Sequence, residues 1–210
     1  MDSRSERIIG LYRDHAAAWD RQRGRDLHEK PWLDRFAAIL PPSGTILDLG
    51  CGMGEPVARY LIERGFAVTG LDSSVSLIAL CRGRFPEREW IVGDMRRLAL
   101  GRRFDGIIAW HSLFHLTPED QRAMFPRFAD HTARGGALMF TSGTSHGESI
   151  GEWQSEPLYH GSLDSSEYRT LLAANGFVIL DHVIRDPQCG ESTVWLARQI
   201  SPANGLDGSA

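Results

Sequence analysis

The stretch TILDLGCGMGE, residues 45–55, joins an apolar run to a carboxylate and three alternating glycines. Residues 45–50 have the apolar pattern of a buried strand, and Asp48 lies close to its end. Gly50, Gly52 and Gly54 would let a ligand approach the backbone closely. A helix is predicted from residue 55, and its first N–H groups could bind an anion. The stretch therefore predicts a ligand site directly after a strand.

The spacing of the glycines separates the ligand classes that such a loop can serve. A dinucleotide site needs G-x-G-x-x-G. Counting from Gly50 places Glu55 at the last position, and counting from Gly52 places Val57 there. No Gly-Lys-Ser/Thr follows, so the loop is not a Walker A motif either. A nicotinamide-dependent oxidoreductase thus remains only a weaker alternative.

The elements around this loop alternate between strand and helix patterns. Strands are predicted at 45–50, 67–72, 90–93, 104–112, 137–142, 177–186 and 193–199. Helices are predicted at 5–22, 31–40, 55–64, 74–85, 118–131 and 165–174. Such alternation predicts βαβ units and a mainly parallel sheet. The last two strands are joined by a short linker, so they should pair antiparallel.

Four motifs and a fifth-strand segment occur in an order and spacing that resemble class I S-adenosylmethionine-dependent methyltransferases. LDLGCGMG is followed by GLDSS, in which Asp72 lies 24 positions after Asp48. IVGDMRRL, FDGIIAWHSLFHL and RGGALMFTSG then match the segments at the third, fourth and fifth strands. The resemblance covers about residues 45–143. It implies a Rossmann-like seven-stranded, mainly parallel sheet, with helices on both faces and an antiparallel last strand.

The resemblance also implies roles for the three acids. Asp48 would hold the amino group of the cofactor, Asp72 its two ribose hydroxyls, and Asp94 its adenine amino group. A carboxylate suits a vicinal diol because it has two accepting oxygens. The structural alternatives are a capping role for Asp48 and Asp94 and ordinary core packing for the aromatic residues. The other candidates for cofactor contact are Gly50, Gly52, Ser73, Met95, Trp110, Tyr12 and Trp19.

Two histidines follow the fourth strand, where the methyl group should emerge. His111 and His115 are candidates to orient the methyl acceptor or to take its proton. Both could instead be structural. Transfer to a good nucleophile needs little beyond correct placement, so a base is not required.

The predicted organisation has four parts. Residues 1–42 form a helical lid segment, 43–200 a class I methyltransferase domain, and 201–210 a disordered tail. Within the domain, residues 144–163 form an insertion that is long for a connection, which favours a substrate loop. Its candidates for substrate contact are Trp153, Tyr159 and His160.

The composition of the chain excludes several classes of binding partner and site. The net charge of −4 and the absence of a long basic strip argue against nucleic acid. The three cysteines form no CxxC pair, which argues against a zinc site and favours a reducing compartment. The N-terminus is polar, and no apolar run is long enough to span a membrane. These features predict a cytoplasmic monomer or homodimer with no metal.

The sequence thus predicts an enzyme that transfers a methyl group from S-adenosylmethionine to an O, N or C nucleophile of a small molecule. The alternative outside catalysis is a degenerate methyltransferase fold that binds a ligand or a partner. The intact glycines and acids argue against it.

Overall fold

The computed structural model describes the backbone of residues 3–200 and the side chains from residue 7 onward. The predicted tail at 201–210 lies outside the described residues. The seven helices are α1 (Ser3–Asp14), α2 (Ala16–Gln22), α3 (Lys30–Ala38), α4 (Val57–Glu63), α5 (Val75–Arg84), α6 (Pro118–His131) and α7 (Ser165–Ala174). The nine strands are β1 (Thr45–Leu49), β2 (Ala67–Asp72), β3 (Glu89–Val92), β4 (Phe104–Ala109), β5 (Thr132–Ser142), β6 (Gly147–Trp153), β7 (Glu156–Ser162), β8 (Phe177–Asp186) and β9 (Ser192–Gln199).

Seven of these strands form one sheet in the order β3-β2-β1-β4-β5-β9-β8. The five strands β1 to β5 are parallel, whereas β9 runs antiparallel to both of its neighbours. This confirms the predicted Rossmann-like sheet with an antiparallel last strand. The chain moves outward from β1 to β3 and then returns to place β4 on the other side of β1. Ligands of open α/β sheets bind at this switch point, beyond the carboxyl ends of the strands.

Apolar side chains cover the sheet on both faces. Trp32 and Phe36 of α3 pack with Ile46 on one face, together with residues of α4 and α5. Phe125 and Phe128 of α6 pack on the other face, together with residues of α7. Central parallel strands that are buried on both faces need continuous apolar runs, and β1 and β4 have them. The rigid sheet therefore fixes where each strand end lies.

The N-terminal segment and the insertion differ from the prediction. The single helix predicted at 5–22 is interrupted at His15, whose φ of −109° and ψ of 19° are not helical. The loop predicted at 144–163 is largely a hairpin of β6 and β7. Its two-residue turn is Gln154-Ser155, and both residues have positive φ. Hairpin turns of this kind usually contain glycine or asparagine, so Gln154-Ser155 is not recognisable as a turn from its residue types.

The segment after β4 also differs. The strand predicted at 104–112 ends at Ala109. His111 then takes a left-handed conformation with a φ of 50°, and residues Leu113–His115 form a 3-10 turn. This turn redirects the chain across the carboxyl end of the sheet. No described helix has both the length and the apolar character needed to cross a membrane.

Candidate functional site

One cavity lies over the carboxyl ends of β1, β2 and β4, with α1 and α2 above it. It encloses about 990 Å³ of space between atoms, including its open mouth. All ten residues predicted for cofactor contact, together with both candidate histidines, line it: Tyr12, Trp19, Asp48, Gly50, Gly52, Asp72, Ser73, Asp94, Met95, Trp110, His111 and His115.

The glycine loop is tied to the end of β2 by backbone hydrogen bonds. The Gly50 N–H donates to the Leu71 carbonyl at 2.7 Å. Asp72 accepts from the Gly52 N–H at 2.9 Å and from the Ser74 N–H at 2.8 Å. At Gly50, with a φ of 72°, a Cβ atom would lie 2.3 Å from Cβ of Ser112. Only glycine fits at this position, so the backbone at Gly50 faces the cavity without a side chain, beside the loop residues Cys51 and Met53.

Two buried carboxylates give the cavity its electrostatic character. Burial raises the pKa of Asp48 to about 7, and the nearby charge of Asp72 adds to the effect. Burial also raises the pKa of Asp72 to about 6, although the N–H groups of Ser74 and Gly52 oppose it. Among the described residues, no donor contacts the Asp48 carboxylate. A buried acid without a partner is costly and favours a positively charged or donating ligand.

Asp94 lies at the same edge but already has protein partners. It caps the 3-10 turn Met95–Arg97 by accepting from the Arg96 N–H at 2.9 Å. The Arg96 side chain also pairs with it at 2.7 Å. Burial opposes ionisation, yet these contacts hold the pKa of Asp94 below its usual range. Asp94 is therefore both a cap and part of the cavity wall.

Trp110 is buried and lines the cavity. Within the described part of the chain, its indole Nε1 has no hydrogen-bond partner. Buried donors are nearly always paired in folded proteins. This N–H is thus a second group in the cavity that a ligand could satisfy.

The N-terminal helices close the cavity from above. Tyr12 and Trp19 contact each other with ring centroids 5.3 Å apart. The Tyr12 hydroxyl lies 3.1 Å from Nε2 of His115. Asp20 of α2 is held by the Arg84 guanidinium of α5, with N–O distances of 2.7 and 2.8 Å. Side chains on α1 and α2 thus connect the cover to the sheet.

The two histidines have different surroundings. Both ring nitrogens of His115 are engaged by the protein, since Nδ1 lies 2.9 Å from the Tyr159 carbonyl oxygen and Nε2 faces Tyr12. Among the described residues, the His111 ring bonds to Ser192 alone, with its Nε2 2.9 Å from Oγ, and the His111 backbone N–H donates to Oγ1 of Thr141 at 2.9 Å. Enclosure by the cleft walls lowers the pKa of His111 to about 4, and the charge of Arg23 adds to this. His111 therefore remains neutral and can accept a hydrogen bond.

A second cavity shares His111 with the first. It lies beyond the ends of β4, β5 and the β8–β9 turn and is lined mainly by polar residues: Phe114, Thr141, Ser142, Gly143, Thr144, Arg185, Glu191, Ser192 and Thr193. Arg185 and Glu191 form an ion pair at 3.2 Å. Like His111, both have positive φ. Such conformations are uncommon outside glycine and concentrate at functional sites.

The three residues predicted for substrate contact lie behind the cavity wall. Trp153 stacks on Tyr12 at 5.6 Å, and His160 lies 5.1 Å from the His115 ring. Tyr159 is buried, and its hydroxyl donates to Glu148 at 2.6 Å. None of the three lines the first or second cavity. Trp153 contacts the cover through Tyr12, and a role in substrate contact remains a prediction for all three.

Sequence reasoning missed several cavity residues. Arg23 and Ser112 line the first cavity, and Ser192 lines the second. Ser112 follows His111 directly, so its place in the chain was a usable signal. Ser192 contacts His111 although the two are 81 residues apart in the chain, and no local sequence pattern predicts that contact. Among the described residues, no three His, Cys, Asp or Glu side chains are arranged to hold a metal ion.

Comparison with known proteins gives one family model. The model described as "Methyltransferase domain" matches residues 19–182. A dTDP-3-amino-3,6-dideoxy-alpha-D-glucopyranose N,N-dimethyltransferase of Streptomyces fradiae is 32% identical over 122 residues, which are 56% of this chain and 47% of that protein. A trans-aconitate 2-methyltransferase of Azoarcus sp. (strain BH72) is 32% identical over 126 residues, which are 57% of this chain and 49% of that protein. The chain spans about half the length of these curated relatives.

A solved structure is similar over more of the chain. The 1,6-didemethyltoxoflavin-N1-methyltransferase of Burkholderia thailandensis, with bound 1,6-didemethyltoxoflavin and S-adenosylhomocysteine, superposes with a TM-score of 0.70. It is 20% identical, and the superposition covers 94% of this chain and 87% of that one. At this identity the likeness establishes the fold.

Proposed function

The chain belongs to the methyltransferase-domain family, and on that premise we propose that it transfers a methyl group from S-adenosylmethionine to an O, N or C nucleophile of a small molecule. The observation that carries the proposal is the pair of buried acids, Asp48 and Asp72, at the carboxyl end of the sheet beside the glycine loop. Family membership argues against the alternative of a nicotinamide-dependent oxidoreductase.

The residues of the first cavity fit this cofactor chemically. Asp72 offers carboxylate oxygens suited to ribose hydroxyls, and Asp48 offers an unpaired carboxylate suited to an ammonium group. The unpartnered N–H of Trp110 supplies a donor. Gly50 and Gly52 allow close backbone approach. Ser73, Asp94 and Met95 would complete the nucleoside end, and the lid within residues 1–42 would cover it through Tyr12 and Trp19.

When bound, the cofactor supplies an electrophilic methyl group on a positively charged sulfur. The protein contributes placement, exclusion of water and a negative environment. Asp48 and Asp72 favour the charged form of the ligand over a neutral one, because opposite charges attract strongly in a buried site. Methyl transfer of this kind depends mainly on holding the reacting groups in line.

We place the acceptor on the His111 side, where the two cavities meet. The neutral imidazole can accept a hydrogen bond from an amine or hydroxyl of the acceptor. A pKa of about 4 makes His111 a weak base, so it orients the acceptor and does not retain its proton. The polar second cavity suits a polar small molecule, and the Streptomyces fradiae relative is named for an amino sugar. Buried unpaired cysteines agree with a cytoplasmic location.

Calorimetric titration tests the proposal. S-adenosylmethionine and S-adenosylhomocysteine should bind to the wild-type protein, and NADH should not. Asp72→Ala should lose at least about 100-fold in affinity. The ribose hydroxyls of the ligand and the N–H groups of Gly52 and Ser74 all lose the carboxylate that accepts from them. Asp130→Ala changes an exposed carboxylate on α6 and is the matched control. Binding of NADH alone would show that the assignment is wrong.

A second arm tests catalysis. The protein is incubated with the isotope-labelled methyl donor and a panel of amino sugars, hydroxylated small molecules and tricarboxylates. Mass spectrometry then detects transferred label. Cofactor binding without transfer to any member of a broad panel would favour the degenerate binding module.

A further inference from the structure

One hydrogen-bond chain joins three segments of the cavity wall at His115. Nδ1 of His115 lies 2.9 Å from the Tyr159 carbonyl oxygen on β7, and Nε2 lies 3.1 Å from the Tyr12 hydroxyl on α1. A carbonyl oxygen can only accept, so Nδ1 carries the proton. In the neutral ring Nε2 is then an acceptor, and the Tyr12 hydroxyl must donate to it.

This assignment requires that His115 be neutral. Burial lowers its pKa to about 4, and the neighbouring rings of His160 and His111 contribute, while the Tyr159 carbonyl opposes the shift. At neutral pH the ring therefore has one N–H. The Tyr159 carbonyl decides which nitrogen carries it.

Tyr12 is held in place on every side. Its ring stacks on Trp153 at 5.6 Å and meets Trp19 edge-on at 5.3 Å. Its carbonyl oxygen accepts from the Ser74 hydroxyl at 3.3 Å. Burial and the nearby charge of Asp72 raise the pKa of Tyr12, so it stays a neutral phenol. If the Tyr12 O–H rotated away from His115, it would lose its hydrogen bond to Nε2.

We propose that His115 is a positioning residue that holds the Tyr12 hydroxyl proton out of the cavity, so that Tyr12 presents only an accepting oxygen and the site prefers a cationic ligand over its neutral counterpart. This inference rests on the proposed function. Its ligand pair is S-adenosylmethionine, with a sulfonium, and S-adenosylhomocysteine, with a neutral thioether. Tyr12 lies near Asp72, and both residues line the cavity that these two compounds would occupy.

The preference has a consequence for turnover. Methyl transfer converts the cationic ligand into the neutral one. The carboxylates and the accepting Tyr12 oxygen attract the sulfonium cation by its charge. Their interaction with the neutral thioether is weaker. His115 would thereby weaken product binding relative to cofactor binding without touching the methyl acceptor.

The test measures a ratio of affinities. Dissociation constants for both compounds are determined by calorimetry for the wild type and for Tyr12→Phe, which keeps the ring and removes the oxygen. We expect the preference for the sulfonium compound to fall about fivefold, the size of one net polar contact. Tyr60→Phe is the matched control, because it removes a tyrosine hydroxyl from α4, outside the cavity, and should leave the ratio unchanged.

Variants of His115 separate positioning from packing. His115→Leu should reduce the ratio as Tyr12→Phe does, whereas His115→Gln can place an amide oxygen near the hydroxyl and should retain it. The double variant Tyr12→Phe/His115→Leu should show no further loss, since both changes remove one interaction. Nitrogen NMR of the His115 ring at pH 7 should show the Nδ1–H tautomer.

The outcomes are distinguishable. If the wild type binds neither compound, the proposed function fails. If it binds both and Tyr12→Phe leaves the ratio unchanged, the proposed function stands and this inference is wrong. An Nε2–H or charged His115 in the NMR spectrum would also overturn the inference.

Discussion

The floor and the cover of the cavity are constructed differently. The floor, formed by the ends of β1 and β2 and the loop Gly50–Gly54, is held largely by backbone groups within a short stretch of chain, as in the bond of 2.7 Å from the Gly50 N–H to the Leu71 carbonyl. The cover, formed by α1, α2 and the β6–β7 hairpin, is held by side chains from distant segments. Tyr12 meets His115 across 103 residues, and His15 meets Glu156 across 141.

The difference indicates a division of labour. Backbone hydrogen bonds at the ends of buried strands leave the floor little freedom to move. Side-chain contacts at the rim can break one at a time, so the cover is the part expected to open for a ligand. Perturbations of the floor should therefore cost more than perturbations of the cover.

The largest effect should come from Gly50→Ala. The new Cβ would overlap Ser112 at 2.3 Å, and the residue would have to keep a φ of 72°. We expect a loss of about 2–4 kcal/mol in the free energy of unfolding from strain and overpacking. Chemical denaturation measures it. At Gly52 the nearest atom is Trp19 Nε1 at 3.5 Å, so Gly52→Ala should cost only about 1 kcal/mol. Equal losses would show that the floor is not more rigid at Gly50.

Asp48 should make the ligand-free protein pH-dependent. Its pKa of about 7, and that of Asp72 of about 6, lie above the unfolded value, so the folded state retains protons that the unfolded chain releases. The contribution of these two acids to the free energy of unfolding should therefore fall as pH rises from about 4 to about 7, while His111 and His115, whose pKa values are lowered to about 4, contribute in the opposite direction. Asp48→Asn should reduce this slope, raise stability at pH 8 by about 1–3 kcal/mol, and weaken binding of the sulfonium cofactor.

Thermal melts between pH 5 and pH 8 measure the effect of Asp48. Asp130→Asn removes an exposed carboxylate and should leave the profile unchanged. If the stability that Asp48→Asn gains over the wild type did not grow between pH 5 and pH 8, the assignment of Asp48 as a buried acid without a partner would be contradicted.

The floor and the cover also differ in how far their structure could be predicted from the sequence. The glycine spacing and the acids at strand ends are local signals that placed the floor after the first strand, and the alternation of strand and helix patterns predicted the mainly parallel sheet. The cover was predicted only in outline. Its hairpin turns at Gln154-Ser155 without a turn signal, and its helix breaks at His15 without a proline or glycine. The pairing of Tyr12 with His115 depends on the finished topology.

The cover should respond to Asp20→Asn with a smaller change. Asp20 is partly exposed and receives hydrogen bonds from Arg84 and Arg25. Although burial opposes it, these contacts lower the pKa of Asp20. Loss of the charge should weaken cofactor binding by about three- to tenfold, since closure of α2 is coupled to binding. The difference from wild type should shrink in 1 M salt, where screening acts over about 3 Å. A salt-independent difference would mean that the charge is not what holds α2.

The smallest effect should come from Glu156→Gln. Glu156 bonds to Nε2 of His15 at 2.6 Å, but its side chain is 53% exposed. Exposed pairs contribute about 0.2–1 kcal/mol, and glutamine can still accept from an imidazole N–H. We therefore expect a change below about 0.5 kcal/mol in thermal stability and less than a threefold change in cofactor affinity. A loss above about 1 kcal/mol would mean that the rim of the cover depends on this contact more than on the aromatic stack of Tyr12 and Trp153, and the contrast between floor and cover would have to be redrawn in terms of charge.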